Sequence, residues 1–160
     1  MATTIESPIF LLRLSAGFAS GAVSGGANFR SEVPYVVGSS AGQVGFIIVV
    51  QLSVVAPGTP TVIDLTSVRD IGGNLVTTMG HLTHWALANQ SNTTGEDMTA
   101  GGGSNPVIAA EAEVCPAKGG ITGKAFPNPG KTVDGTHKNF QVAIAAGANV
   151  PGLLMLWGRA

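Results

Sequence analysis

Ionised side chains are scarce in this sequence. Asp, Glu, Lys and Arg make up 11% of its 160 residues, less than half the roughly 25% of an average soluble domain. Eight cations against nine anions leave a net charge of -1. No basic cluster is present, which argues against a dedicated nucleic-acid binder, since phosphate recognition needs cations. A single cysteine, Cys115, forbids an internal disulfide framework. Long hydrophobic runs are also missing. The longest apolar stretch, Val44 to Ala56, is broken by Gly45, Gln51 and Ser53, and it falls short of the roughly 20 residues that span a bilayer. The first six residues carry no cation, and the run Ile9 to Leu12 is cut by Arg13, unlike a secretion signal. The chain therefore reads as soluble, unprocessed and free of membrane contact. What it does contain is 44% apolar residues and 23 glycines. That is too apolar for disorder and long enough for one domain with one hydrophobic core.

The few charges are unevenly spaced. None lies between Glu32 and Asp64, between Asp70 and Glu96, or between Lys138 and Arg159, gaps of 31, 25 and 20 residues. A lone domain of this size keeps much of its surface in water, where charges maintain solubility. An ordinary core under a Ser/Thr/Asn surface is one explanation. The preferred one is that much of the exterior is buried against copies of itself or within a larger assembly.

The apolar pattern is that of β-structure. Val44 to Val55 is rich in Val and Ile, with both strand faces apolar, as in a central strand or one whose second face is in a contact. Pro57-Gly58-Thr59-Pro60 ends it. Further strands are expected at Ile9–Leu14, Val33–Val37, Thr61–Leu65, Leu75–Thr78, His81–Ala88, Val107–Val114, Ile121–Phe126, Phe140–Ala145 and Leu153–Trp157. Phe140, Val142 and Ile144 alternate with Gln141, Ala143 and Ala145, a half-buried strand. Ser15 to Asn28 is a Gly/Ala/Ser tract in which four glycines, each costing about 1 kcal/mol, disfavour a helix. Asn89 to Asn105 reads as the largest loop. Many short strands separated by Gly, Pro and Asn turns predict an all-β, single-domain β-sandwich or jelly-roll-like fold. Residues 33–160 would form the core, and residues 1–32 an extended N-terminal Gly/Ala/Ser-rich arm.

Candidate chemistry is thin. Gly130-Lys131-Thr132 looks like the end of a phosphate-binding loop, but position 125 is Ala, and Pro127 and Pro129 have no N–H to offer. His81 and His84 are three apart, which in a regular strand points them to opposite faces. A third metal ligand would have to come from His137, Glu96 or Asp97. Glu111 and Glu113 share a strand face, as a glycosidase pair would, though nothing marks a cleft. Cys115 precedes Pro116 with no base nearby, and Asn92-Thr93-Thr94 is a glycosylation acceptor only in a secreted chain. Asp64, Asp70 and Asp97 lack calcium-loop spacing. The expectation is therefore no catalytic residue, no cofactor and no metal. The more informative residues are Phe46, Ile48, Trp85, Leu153, Met155 and Trp157, which we expect to form subunit contacts, because aromatic and Met residues concentrate at contact cores. A rival reading uses Trp85 or Trp157 as an exposed sugar-stacking platform. Another is an enzyme joining His81 or His84 to Glu96 or Asp97 in a cleft.

One further pattern runs along the chain. Asp64-Leu65-Thr66-Ser67-Val68-Arg69-Asp70 ends a short strand. Gly72, Gly73 and Leu75-Val76-Thr77 follow, then a strand ending at Asn89. Later come Asn105-Pro106, the Phe126-Pro127-Asn128-Pro129-Gly130 turn, the Phe140–Ala145 strand and the closing Trp157-Gly158-Arg159. This order, from Val62 to Ala160, resembles the small β-rich virion structural proteins of tailed bacteriophages. The resemblance implies a non-enzymatic capsid decoration or cement protein, made in the bacterial cytoplasm and placed on the capsid surface. It would act as a trimer on a major capsid protein. A tail, head-fibre or small major capsid component is the alternative within that class. No catalytic residue comes with the resemblance.

Overall fold

The computed structural model describes residues 11–20, 23–32, 36–37, 43–54, 58–70, 72–108, 113–146 and 149–160. These residues form strands, turns and bends, with no helix among them. In chain order the strands are β1 (Leu11–Ser20), β2 (Val23–Glu32), β3 (Val36–Val37), β4 (Gln43–Val44), β5 (Phe46–Val54), β6 (Thr61–Asp64), β7 (Val68–Arg69), β8 (Leu75–Val76), β9 (His81–Asn89), β10 (Met98–Ala100), β11 (Glu113–Cys115), β12 (Ile121–Ala125), β13 (Lys131–Thr132), β14 (Asn139–Ile144) and β15 (Val150–Arg159).

Two sheets build the body. One has the order β12-β9-β15-β5, with β13 also paired to β9; the other has the order β11-β10-β14-β6. Every pairing within them is antiparallel. β1 and β2 form an antiparallel hairpin that is a sheet of its own. β3 and β4 pair in parallel, and β7 and β8 form a small ribbon.

The core lies between the two sheets, as period-two patterning requires. In β14, Phe140, Val142 and Ile144 are buried and their neighbours only half-buried. Across the five-stranded sheet, Ile48 stands opposite Leu156 and Leu156 opposite Trp85, while Val50, Leu154 and Leu87 form the next row. These residues pack against Ile63, Met98, Phe140, Val142 and Ile144 of the other sheet in one apolar cluster. The rings of Trp85 and Phe140 meet edge to face at 5.5 Å, a favoured aromatic geometry. Full burial of a side chain such as Leu154 contributes about 1.5–3 kcal/mol.

Glycine decides the fit at both ends of β15. A Cβ on Gly152 would lie 2.8 Å from Met98 Cε, and one on Gly158 would lie 2.7 Å from Met79 Sδ. Both glycines therefore act as notches, each seating a buried methionine, whose flexible side chain suits an irregular gap.

β9 carries a bulge. Trp157 pairs with His84, but Gly158 pairs with Leu82, so Thr83 is the extra residue. Its hydroxyl donates to the Trp157 carbonyl at 2.9 Å. On the other edge of β9, β12 ends at Ala125 opposite His84 and β13 resumes at Lys131 opposite Leu82. Residues 126–130 loop out between them. Gly130 closes that loop with φ +102, where a Cβ would sit 2.6 Å from the Leu82 carbonyl oxygen. Residues 130–132 thus form a close approach to β9 rather than a phosphate cradle.

Two segments depart from the sequence expectation. The stretch read as one loop from Asn89 to Asn105 contains β10, which pairs on both sides. Of the strand expected over 107–114, residues 109–112 lie outside the described residues, and its end falls in β11, Glu113–Cys115. Val107 and Ile108 are instead buried in a turn tied to Asn139 and Gly102.

Candidate functional site

Among the described residues, the two sheets of four and five strands present the broadest outward faces by strand number. On the five-stranded sheet, register groups Ile47, Trp157 and His84 in one row, Val49, Met155, Ala86 and Gly123 in the next, and Gln51, Leu153, Ala88 and Ile121 in the third. No residue of these rows is charged. Arg159, level with His81, stands at one end. Met155 and Trp157 are 8% and 7% exposed and cluster with Val44, Ile47 and Ala86, a second apolar cluster on the far side of the sheet from the core. On the four-stranded sheet the outward rows are Val114, Thr99 and Ala143, then Gln141 and Val62, then Asn139 and Asp64. Here Val62 and Val114 are 50% and 54% exposed. The only charge in those rows is Asp64, at the end.

The residues expected at subunit contacts divide between two surfaces. Ile48 and Trp85 are fully enclosed between the sheets, with Phe46 packed against the same cluster; their apolarity serves the core. Leu153, Met155 and Trp157 lie together on the outer face, with Leu153 half-buried. Neither tryptophan offers the exposed ring that sugar stacking requires, since Trp85 is 2% and Trp157 7% exposed.

The bulge corrects the expected placing of the histidines. Leu82 and Trp85 both enter the core, so His81 and His84, which neighbour them, share the outer face instead of opposing each other. The His84 ring stands edge-on to Trp157 at 6.5 Å. Burial pushes both imidazoles below their ordinary value; at His81 the nearby Arg159 charge adds to this. Glu96 and Asp97 lie elsewhere. The Asn89 amide donates to the Glu96 carbonyl at 2.8 Å, which puts Glu96 beside the opposite end of β9, roughly 17–27 Å of strand away from the histidines. Among the described residues no three potential metal ligands come together, and His137 is held at its own turn by Asp134.

The carboxylates are occupied by structure. Asp64 accepts from Thr66 and from Lys138, the latter at 2.9 Å, and these bonds hold its carboxyl below the usual range. Asp70 caps the 70–74 turn through Asn74. Asp97 accepts the Ala117 N–H at 2.8 Å. Asp134 gathers N–H and O–H donors from Thr136 and His137, which lower it to about 2. Glu113 pairs with Lys124 at 3.5 Å, and Glu111 lies outside the described residues. The Cys115 thiol is buried against the Leu87 and Gly120 carbonyls, and burial pushes it up, away from nucleophilic use.

One polar network was not foreseen. Asn89, 1% exposed, donates to the Glu96 and Cys115 carbonyls and accepts the Ser91 N–H, while the Ser91 hydroxyl bonds the Glu96 carboxylate. It ties the start of the 89–97 segment to β11. The readable signal was a lone amide ending an apolar strand.

No known family model, no curated protein and no solved structure matches this chain. Among the described residues no helix is long and apolar enough to cross a membrane.

Proposed function

We propose that this chain is a non-enzymatic structural protein of a virion, a capsid decoration or cement protein of the tailed-bacteriophage kind. It works by adhesion to copies of itself and to a major capsid protein. The observation that carries this reading is the neutrality of both outward sheet faces. The charge gaps at 33–63, 71–95 and 139–158 fall on β5, β9, β14 and β15, the strands that supply most of those faces. The exposed apolar residues on these faces, Val49, Val62 and Val114, gain from contact, at about 25 cal/mol per Å2 of apolar surface removed from water, and neutral neighbours lose no ion hydration in doing so. Association is costly, but a lattice repeats each contact, and multivalency compensates for modest single-site strength. The β1–β2 hairpin, hydrogen-bonded to no other described strand, suits a reaching arm. The chemistry-bearing side chains are dispersed and bound into turns, which favours a structural role over a catalytic or sugar-binding one.

The test is the composition of purified phage particles. The chain should sediment with the particles in a fixed ratio to the major capsid protein. Recovery only in the soluble fraction of the lysate overturns the proposal.

A further inference from the structure

The edges of the two sheets are unequally protected. An edge strand presents a row of unpaired backbone N–H and C=O groups, and proteins guard it with shortness, charge, proline or bulges. Three of the four edges here are guarded. β6 has four residues and ends at Asp64, held by Lys138. β11 has three and begins at Glu113. β12 carries Lys124 and gives way to the proline-containing loop at 126–130.

β5 is different. It pairs with β15 along its whole nine-residue length, and no described strand pairs with its other side. β3 lies against β4 as far as Val44, so among the described residues the unpaired edge runs from Phe46 to Val54, about 30 Å of strand. Its sequence, FIIVVQLSV, contains no charge, no proline and no glycine, and Val49, Gln51 and Ser53 are exposed. About half of its backbone polar groups point outward, as in any strand.

We infer that β5 pairs antiparallel with β5 of a second copy, joining two five-stranded sheets into one continuous sheet across a twofold axis. The second copy is the occupant that fits best. A twofold contact brings the residues at and beside its axis close to their own copies, so a charge there would meet its like. The charge-free stretch from 33 to 63 removes that obstacle. With Ile48 on the axis, Ile47 of each copy stands opposite Val49 of the other. The outer row Trp157–Ile47 then continues into Val49–Met155 of the second copy, merging two small apolar clusters into one stripe. A foreign charged strand would find no complementary charge here. The contact is twofold and builds a dimer, where the phage resemblance implies a trimer. It rests on the reading of this chain as a self-associating protein.

Sedimentation velocity on the full chain at micromolar concentration tests it, with Val49→Lys against Leu75→Lys, an exposed apolar residue on the β7–β8 ribbon outside both sheets, as the control. Wild type and Leu75→Lys should sediment as dimers or multiples of dimers. Val49→Lys should weaken association about tenfold or more while keeping the wild-type circular dichroism. Amide exchange on the wild type is the second readout: the outward N–H groups of 46–50, which this register pairs, should be protected at high concentration and lose protection on dilution. If the wild type associates but Val49→Lys associates equally and those amides exchange freely, the β5 contact is refuted and self-association stands. A wild type that is monomeric throughout refutes both.

Discussion

The two outward faces of this sandwich-like body are both uncharged, yet they are built differently. The five-stranded face is apolar through Ile47, Ala86, Leu153, Met155 and Trp157, and its centre is buried. The four-stranded face mixes Thr99, Gln141 and Ala143 with Val62 and Val114, and it is open to solvent. Neutrality therefore takes two forms. β15 carries large apolar side chains on both faces and is covered on both within this chain, whereas the four-stranded face keeps its valines in solvent.

The sharpest way to break the comparison is to place the same charge on each face. Met155→Asp removes a buried apolar side chain and buries a carboxylate, and should cost roughly 3–5 kcal/mol or abolish folding. Val62→Asp, on the open face, should cost about 1 kcal/mol or less. Urea midpoints measure both, and equal losses would erase the distinction. A smaller effect probes how the two sheets are joined. Gly152→Ala pushes a methyl into Met98 and should cost about 1–3 kcal/mol. Shortening the methionine in the double variant Gly152→Ala/Met98→Ala should make the two changes non-additive. Additive losses would mean that the notch and the methionine do not share a space.

The smallest effects separate the faces by pH. His84 and His81 are held below their ordinary value of 6.5, so below that pH the unfolded chain binds more protons than the folded one. Stability should fall as pH drops through 6.5, and His84→Gln should reduce that slope. Asp64, at the end of the four-stranded face, is held below 3.8. Its stabilising share is present above 3.8 and is lost only as pH falls beneath it. Thermal midpoints from pH 8 to pH 3 should therefore show two separate declines, and the lower one should weaken in Asp64→Asn.

Much of this architecture was legible in the sequence. The alternation in Phe140–Ala145 and the two-faced apolarity of Leu153–Trp157 and Val44–Val55 mark β14, β15 and β5. What escaped depends on neighbours distant in sequence. A bulge at Thr83 exists only relative to β15, so no local pattern could show that His81 and His84 share a face. β10 is three residues long and is held by β11 and β14 rather than by its own periodicity. Period-two patterning separates two faces without saying which one meets the other sheet, and so Ile48 and Trp85 were grouped with Met155 and Trp157 although they lie on opposite sides.

The central claim is that the sparsely charged exterior is built to be covered by companions. Light scattering on the full chain across the micromolar range tests it most directly. The account predicts a mass of at least twice 16.1 kDa, and the β5 pairing an even multiple of it. A particle that stays at the mass of one chain at every concentration would contradict it.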